Sequence, residues 1–88
     1  MSSKILVVED DLEIMDLIRT ALSFKEYICV ESTTGGNVVD LAKEHKPDLI
    51  ILDLQLPDMD GLEVCRRLKS DEATKHISVI MLTARDGV

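Results

Sequence analysis

The chain has 88 residues, of which 45% are hydrophobic and 31% are charged, and this composition is typical of one small globular domain. Its formal net charge of −7 argues against a nucleic-acid surface, which needs clustered Lys and Arg, and against binding to an anionic membrane surface. No apolar run approaches the length of a membrane span and no signal segment is visible, so we expect a cytoplasmic protein.

The first half of the chain predicts two strands and two helices in alternation. An apolar, β-branched run at 4–9 predicts a buried strand, and the helical spacing of apolar residues over 11–24 predicts an amphipathic helix. The expected apolar face of this helix comprises Ile14, Leu17, Ile18, Ala21 and Leu22. A more polar run at 27–31 predicts a strand near a sheet edge, and a turn at 33–36 leads into a helix over 37–45.

The second half of the chain continues the alternation. The most apolar run, at 48–54, predicts a strand in the centre of the sheet, followed by a loop at 57–61 and a helix over 61–70. A polar loop at 71–76 separates this helix from a last buried strand over 77–84. Strands that alternate with helices indicate an α/β fold with parallel strands, right-handed crossovers and helices on both faces of the sheet.

Acidic and hydroxyl side chains stand at the carboxyl ends of three predicted strands. The first strand ends at Glu9 and Asp10, the third brings Asp53 to its tip, and the fourth ends at Thr83. In an open parallel sheet, functional residues gather at the carboxyl ends of the strands, where the strand order reverses. If the first and third strands are neighbours, these carboxylates and the hydroxyl converge on one rim of the sheet.

Carboxylates crowded on one rim favour a bound cation, because the cation relieves their mutual repulsion. Oxygen ligands select magnesium, manganese or calcium rather than zinc, and magnesium leaves room for a phosphate oxygen. The pattern therefore indicates magnesium-assisted phosphoryl transfer, with Asp53 as the nucleophile that forms an acyl phosphate. Each acid by itself also has a structural interpretation, in which Asp10 and Asp11 cap the first helix and Asp53 caps a turn.

Three stretches of the sequence resemble the receiver domain of bacterial two-component response regulators, a family that includes the chemotaxis regulators. They are "ILVVEDD" at 5–11, "PDLIILDLQLPDMDG" at 47–61 and "VIMLTA" at 79–84. The resemblance covers the whole chain and implies a flavodoxin-like doubly wound sheet with strand order 2-1-3-4. It also implies a signalling switch rather than a turnover enzyme. Such a switch receives a phosphoryl group from a sensor histidine kinase or a phosphotransfer protein, with Mg²⁺ as cofactor.

The resemblance implies a role for each matching residue. Asp53 matches the phospho-acceptor, and Asp10 matches an acid that binds Mg²⁺ directly. Glu9 stands where an aspartate is commoner and would act mainly through a metal-bound water. The backbone carbonyl of Gln55 would complete the metal site, and Thr83 matches the hydroxyl that bonds the phosphoryl oxygen. By contrast, we interpret Asp60 as the N-cap of the following helix and not as a ligand.

In the family, the fourth strand is followed by a helix, a fifth strand and a closing helix. The resemblance therefore implies that residues 1–88 are a receiver domain truncated after the fourth strand, without the fifth strand and the last two helices. The family's phosphoryl-pairing lysine and aromatic switch residue would lie beyond Val88. An uncovered fourth strand predicts pairing with a second copy, as a homodimer or a swapped assembly.

Alternatives from other classes are weaker. A phosphatase of the haloacid dehalogenase kind also uses a strand-end aspartate, but its D-x-D-x-T pattern is absent from "DLQLP" at 53–57. An EF-hand loop around "DMDG" would put ligand positions on Leu56 and Arg67, which are unsuitable for calcium. The alternative that stays open is an interaction module, or an engineered fragment, that uses the receiver fold without phosphorylation. Labelling of Asp53 by a phosphoryl donor distinguishes the two.

Overall fold

The computed structural model describes residues 3–82. In this range the strands are β1 (Lys4–Val8), β2 (Ile28–Ser32), β3 (Leu49–Asp53) and β4 (Ser78–Leu82). The helices are α1 (Leu12–Ser23), α2 (Val38–His45) and α3 (Gly61–Ser70). Each lies within a few residues of its predicted range, so the βαβαβαβ order is confirmed. None of these described helices is long and apolar enough to cross a membrane.

All strand pairs are parallel, and the strand order β2-β1-β3-β4 confirms the predicted one. The central strands β1 and β3 carry near-continuous apolar runs because both of their faces are covered. The more polar β2 lies at one edge, as its composition predicts. At the other edge of the described sheet, β4 leaves Ile80 51% exposed. Pairing of this edge with a second copy stays a prediction.

One face of the sheet packs against α2 and α3 and contains most of the core. The strands contribute Leu6, Val8, Ile50 and Leu52, and the helices contribute Val38, Ala42, Val64 and Leu68. All of these side chains are at most 1% exposed. Because alternate strand residues point to alternate faces, β1 and β3 supply this layer with every second residue.

The opposite face packs against α1 alone among the described helices, and its core is smaller. The buried residues there are Ile5, Val7 and Met15, with Ile18 and Leu22 packed against them. The predicted helix face was wrong at two positions, because Leu17 is 70% exposed and Ala21 is also exposed. Met15, which the prediction omitted, is 2% exposed and faces the sheet.

The starts of α1 and α3 are set by aspartate caps. The Asp11 side chain accepts hydrogen bonds from the N–H groups of Glu13 and Ile14, at 2.9 and 3.2 Å. The Asp60 side chain accepts from Leu62 N–H at 2.8 Å, which confirms its interpretation as an N-cap. These caps leave Glu9 and Asp10, just before α1, at the end of β1.

Candidate functional site

Three carboxylates meet at the carboxyl end of the sheet. One oxygen from each of Glu9, Asp10 and Asp53 lies within 4.8 Å of the others. Glu9 is 1% exposed and Asp53 is 3% exposed, while Asp10 is half-buried. The sheet brings them together because β1 and β3 are neighbours, with Val8 paired to Leu52 one residue before the acids begin.

Backbone hydrogen bonds orient these carboxylates. Glu9 Oε2 accepts from Asp11 N–H at 2.9 Å, and Asp53 Oδ1 accepts from Gln55 N–H at 3.2 Å. The Glu9 N–H donates to the carbonyl of Ser32 at 3.0 Å, which ties the end of β1 to the end of β2. The carboxylates of Glu9 and Asp53 are therefore held by the main chain around them.

The segment 54–60, here called the acceptor loop, connects Asp53 to α3. Its base is closed by Gly61 N–H donating to Leu54 O at 2.8 Å and by an antiparallel bridge between Gln55 and Asp60. Gly61 packs directly on the backbone, since a Cβ there would overlap the Asp53 carbonyl oxygen and lie 2.7 Å from Leu54 Cα. Only glycine fits at this position without moving the backbone of Asp53 and Leu54.

Sequence reasoning missed Asp58. Its Oδ1 accepts from Gly35 N–H at 2.7 Å and its Oδ2 accepts from Gly36 N–H at 2.8 Å. These bonds hold the pKa of the Asp58 carboxyl below its ordinary value, and the bond from Gly35 has the larger effect of the two. The sequence shows only a glycine pair at 35–36 and an acid at 58, and it does not show that the two loops meet.

The structure brings some of the predicted site residues together, and one of them lies outside the described range. The structure brings Glu9, Asp10 and Asp53 together, and Gln55 follows Asp53 with an exposed side chain. Thr83 lies outside the described residues, directly after the last described residue of β4. Within residues 3–82, the metal-type cluster contains those three acids and not Asp60.

The arrangement fits a hard divalent cation. All three donors are carboxylate oxygens, which suit magnesium, manganese or calcium and not the softer metals. Two of the three acids are almost fully buried, and a cation is the usual means of neutralising carboxylates that are crowded away from water. A site with few carboxylates also leaves coordination positions for water and a phosphoryl oxygen.

Comparisons with known sequences find one family. The family profile described as response regulator receiver domain matches residues 5–88. Among curated proteins, the polar-differentiation response regulator DivK of Brucella ovis is 43% identical over 84 residues. That alignment covers 96% of this chain and 68% of DivK.

Solved structures give the same result. The N-terminal domain of a response regulator receiver protein from Methanoculleus marisnigri has a TM-score of 0.88 at 38% identity, over 93% of this chain and 67% of that one. The receiver domain of a sensor histidine kinase from Pseudomonas aeruginosa has a TM-score of 0.89 at 28% identity, over 99% and 73% of the two chains. That second structure holds a magnesium ion coordinated in its active-site cleft.

Proposed function

The chain belongs to the response regulator receiver domain family, and on this premise we propose that it is a switch controlled by phosphorylation of Asp53. The phosphoryl donor is a sensor histidine kinase or a phosphotransfer protein, and the modified domain acts on an output rather than turning over a substrate. The observation that carries this proposal is the buried acceptor carboxylate beside two further acids at the end of the sheet.

The proposed chemistry is a phosphoryl transfer between two protein side chains. An oxygen of Asp53 attacks phosphorus, the bond from phosphorus to the donor imidazole nitrogen breaks, and an acyl phosphate forms on Asp53. The electron pair of the broken bond stays on the imidazole nitrogen. The backbone of Gln55 orients the acceptor through its bond to Oδ1, and burial of Asp53 restricts access by water.

The proposed cation is Mg²⁺. Asp10 and Asp53 would bind it directly, Glu9 would act through a bound water, and the Gln55 carbonyl would complete the protein ligands. A bound Mg²⁺ would neutralise negative charge on both the Asp53 carboxylate and the incoming phosphoryl group. We further propose that the Thr83 hydroxyl bonds a phosphoryl oxygen, as the family resemblance implies.

The test is Mg²⁺ titration and acetyl phosphate labelling of the whole chain. We expect Asp10→Asn to weaken Mg²⁺ binding by at least about 10-fold, because it removes a direct ligand. We expect Asp53→Asn to abolish labelling, because an amide is not a usable nucleophile. Amide chemical shifts report binding, and intact mass reports labelling.

Asp60→Asn is the matched control, since Asp60 is an acid on the same connection but caps α3. It should bind Mg²⁺ and accept the phosphoryl group as the native chain does. Labelling that survives in Asp53→Asn would contradict the assignment of the acceptor. Mg²⁺ binding without any labelling would favour the interaction module that the sequence leaves open.

A further inference from the structure

Two loops at the carboxyl end of the sheet meet across the end of β1, one after β2 and one after β3. One follows β2 and contains Gly35 and Gly36, and the other is the acceptor loop. A Cβ at Gly35 would lie 2.7 Å from Val64 Cγ2 and 2.8 Å from Met59 Cγ, so glycine permits this close contact. Both amides of the glycine pair donate to the Asp58 carboxylate, as described above.

We propose that Asp58 is a positioning residue for the cation and acceptor site. By binding the amides of Gly35 and Gly36, its carboxylate fixes the acceptor loop, and with it the backbone of Gln55, in the conformation that the site needs. This inference rests on the proposed function, and it concerns a side chain that touches neither the acids nor the phosphoryl group.

This contact adds to the other constraints on the acceptor loop, which are hydrogen bonds at its base and packing of Leu56 and Met59 against the core. Pairing of Leu54 with Gly61 and of Gln55 with Asp60 closes the base, whereas Asp58 lies at the far end of the loop. Asp58 makes the hydrogen bonds that tie this far end to the loop after β2, and a displacement of roughly 0.5 Å is enough to impair a preorganised site. The bonds to Asp58 are charge-assisted and therefore stronger than neutral ones.

The loop after β2 is itself held by hydrogen bonds, so it can restrain the acceptor loop. Ser32 Oγ lies 2.8 Å from the Thr34 carbonyl oxygen and 2.9 Å from Asn37 Oδ1, and its single proton is donated to one of these two acceptors. The Ser32 carbonyl accepts from Glu9 N–H, so the same turn also holds the end of β1. The region after β2 therefore contacts both the end of β1, through Ser32 and Glu9, and the acceptor loop, through the glycine pair and Asp58.

The decisive experiment compares Asp58→Ala with Asp71→Ala in the whole chain. Asp71 pairs with Lys43 at 2.8 Å, so it also joins the α2 and α3 regions, but away from the acceptor loop. We expect Asp58→Ala to weaken Mg²⁺ binding by about 10-fold, the lower range for outer-shell residues of metal sites. We expect Asp71→Ala to change Mg²⁺ affinity less than about twofold, whatever it does to stability.

A second readout uses the metal-free chain. Asp58→Ala should speed the hydrogen exchange of Gly61 N–H, at the base of the loop, while amides in the middle of α3 keep their native rates. Asp58→Asn, which keeps an acceptor oxygen without charge, should fall between the native chain and Asp58→Ala in both measurements. It also carries the comparison if Asp58→Ala does not fold.

The outcomes separate this inference from the proposed function. If Asp58→Ala binds Mg²⁺ like the native chain while Asp10→Asn loses binding, the positioning role is wrong and the metal site stands. If Asp58→Ala and Asp71→Ala weaken binding equally, Asp58 acts only through general stability and the inference is overturned. If the native chain does not bind Mg²⁺, both proposals fail.

Discussion

The two faces of the sheet differ in how completely their apolar residues are covered. Among residues 3–82, the face under α2 and α3 has a cluster of nine buried hydrophobic residues, whereas the face under α1 has three. Leu56 and Met59 of the acceptor loop pack against the larger cluster. The face that supplies most of the hydrophobic stabilisation therefore also supports the site, and damage to the two faces should have different consequences.

The largest expected difference in stability is between truncations of two adjacent β3 residues whose side chains point to opposite faces of the sheet. Leu52 is fully buried under α2 and α3, and Ile51 is half-buried beside α1. Leu52→Ala should lower the free energy of unfolding by about 2–5 kcal/mol, because it removes buried methyl groups and leaves a cavity. Ile51→Ala should cost less than half as much, because part of its side chain already contacts water.

Urea unfolding followed by circular dichroism measures both losses. The slope of the free energy with urea should be unchanged, which shows that the variants differ in stability and not in the surface exposed on unfolding. Equal losses would mean that the two faces contribute equally, and the contrast between them would be withdrawn.

The next difference lies within α1. Met15 is 2% exposed and Leu17 is 70% exposed, although both are large apolar residues of one helix. Met15→Ala should lower the free energy of unfolding by about 2–3 kcal/mol, at the low end for core truncations. Leu17→Ala should stay within about 0.5 kcal/mol of the native chain, as is usual for surface positions. A large loss for Leu17→Ala in the same unfolding measurement would show that this side of α1 is covered in solution.

The contrast within α1 also shows where sequence reasoning is limited. This helix carries apolar residues on more than one side, among them Leu12, Ile14 and Leu17, so helical spacing allows more than one inward face. The stripe of Met15, Ile18 and Leu22 was selected by packing against Ile5 and Val7. Local periodicity does not contain that information. In contrast, the alternation of strands and helices was sufficient to predict parallel pairing, and the apolar runs placed β3 in the centre and β2 near an edge. The full strand order came from the family resemblance.

The residues at and near the candidate site also divide into those that the sequence could predict and one that it could not. Glu9, Asp10 and Asp53 were predictable because strand ends are visible in the sequence and parallel strands end at one edge. The Asp60 cap was predictable because its hydrogen bond spans two residues. Asp58 was not, since its partner Gly35 lies 23 residues away and their contact depends on how two loops pack. Long-range contacts between loops need the fold before they can be recognised.

The smallest expected effect on stability concerns two residues that follow the C-terminal ends of α1 and α2, the helices on opposite faces of the sheet. Glu26 has a φ of 61° and Lys46 has a φ of 51°, the left-handed region that favours glycine. Both side chains are exposed, so Glu26→Gly and Lys46→Gly remove strain without removing packing. Each should raise the free energy of unfolding by about 0.5–1 kcal/mol, because the gain exceeds the extra entropy of an unfolded glycine.

Charge separates this backbone effect from electrostatics. The net charge of −7 becomes less negative in Glu26→Gly and more negative in Lys46→Gly, so a stabilisation caused by reduced self-repulsion would have opposite signs in the two variants. Glu26→Ala and Lys46→Ala provide the matched controls, since they make the same charge changes but keep a Cβ. Stabilisation by both glycines and by neither alanine in urea unfolding would assign the effect to backbone conformation. Stabilisation by only one of the two glycines would show that the other position tolerates its left-handed residue, which the similar φ values do not predict.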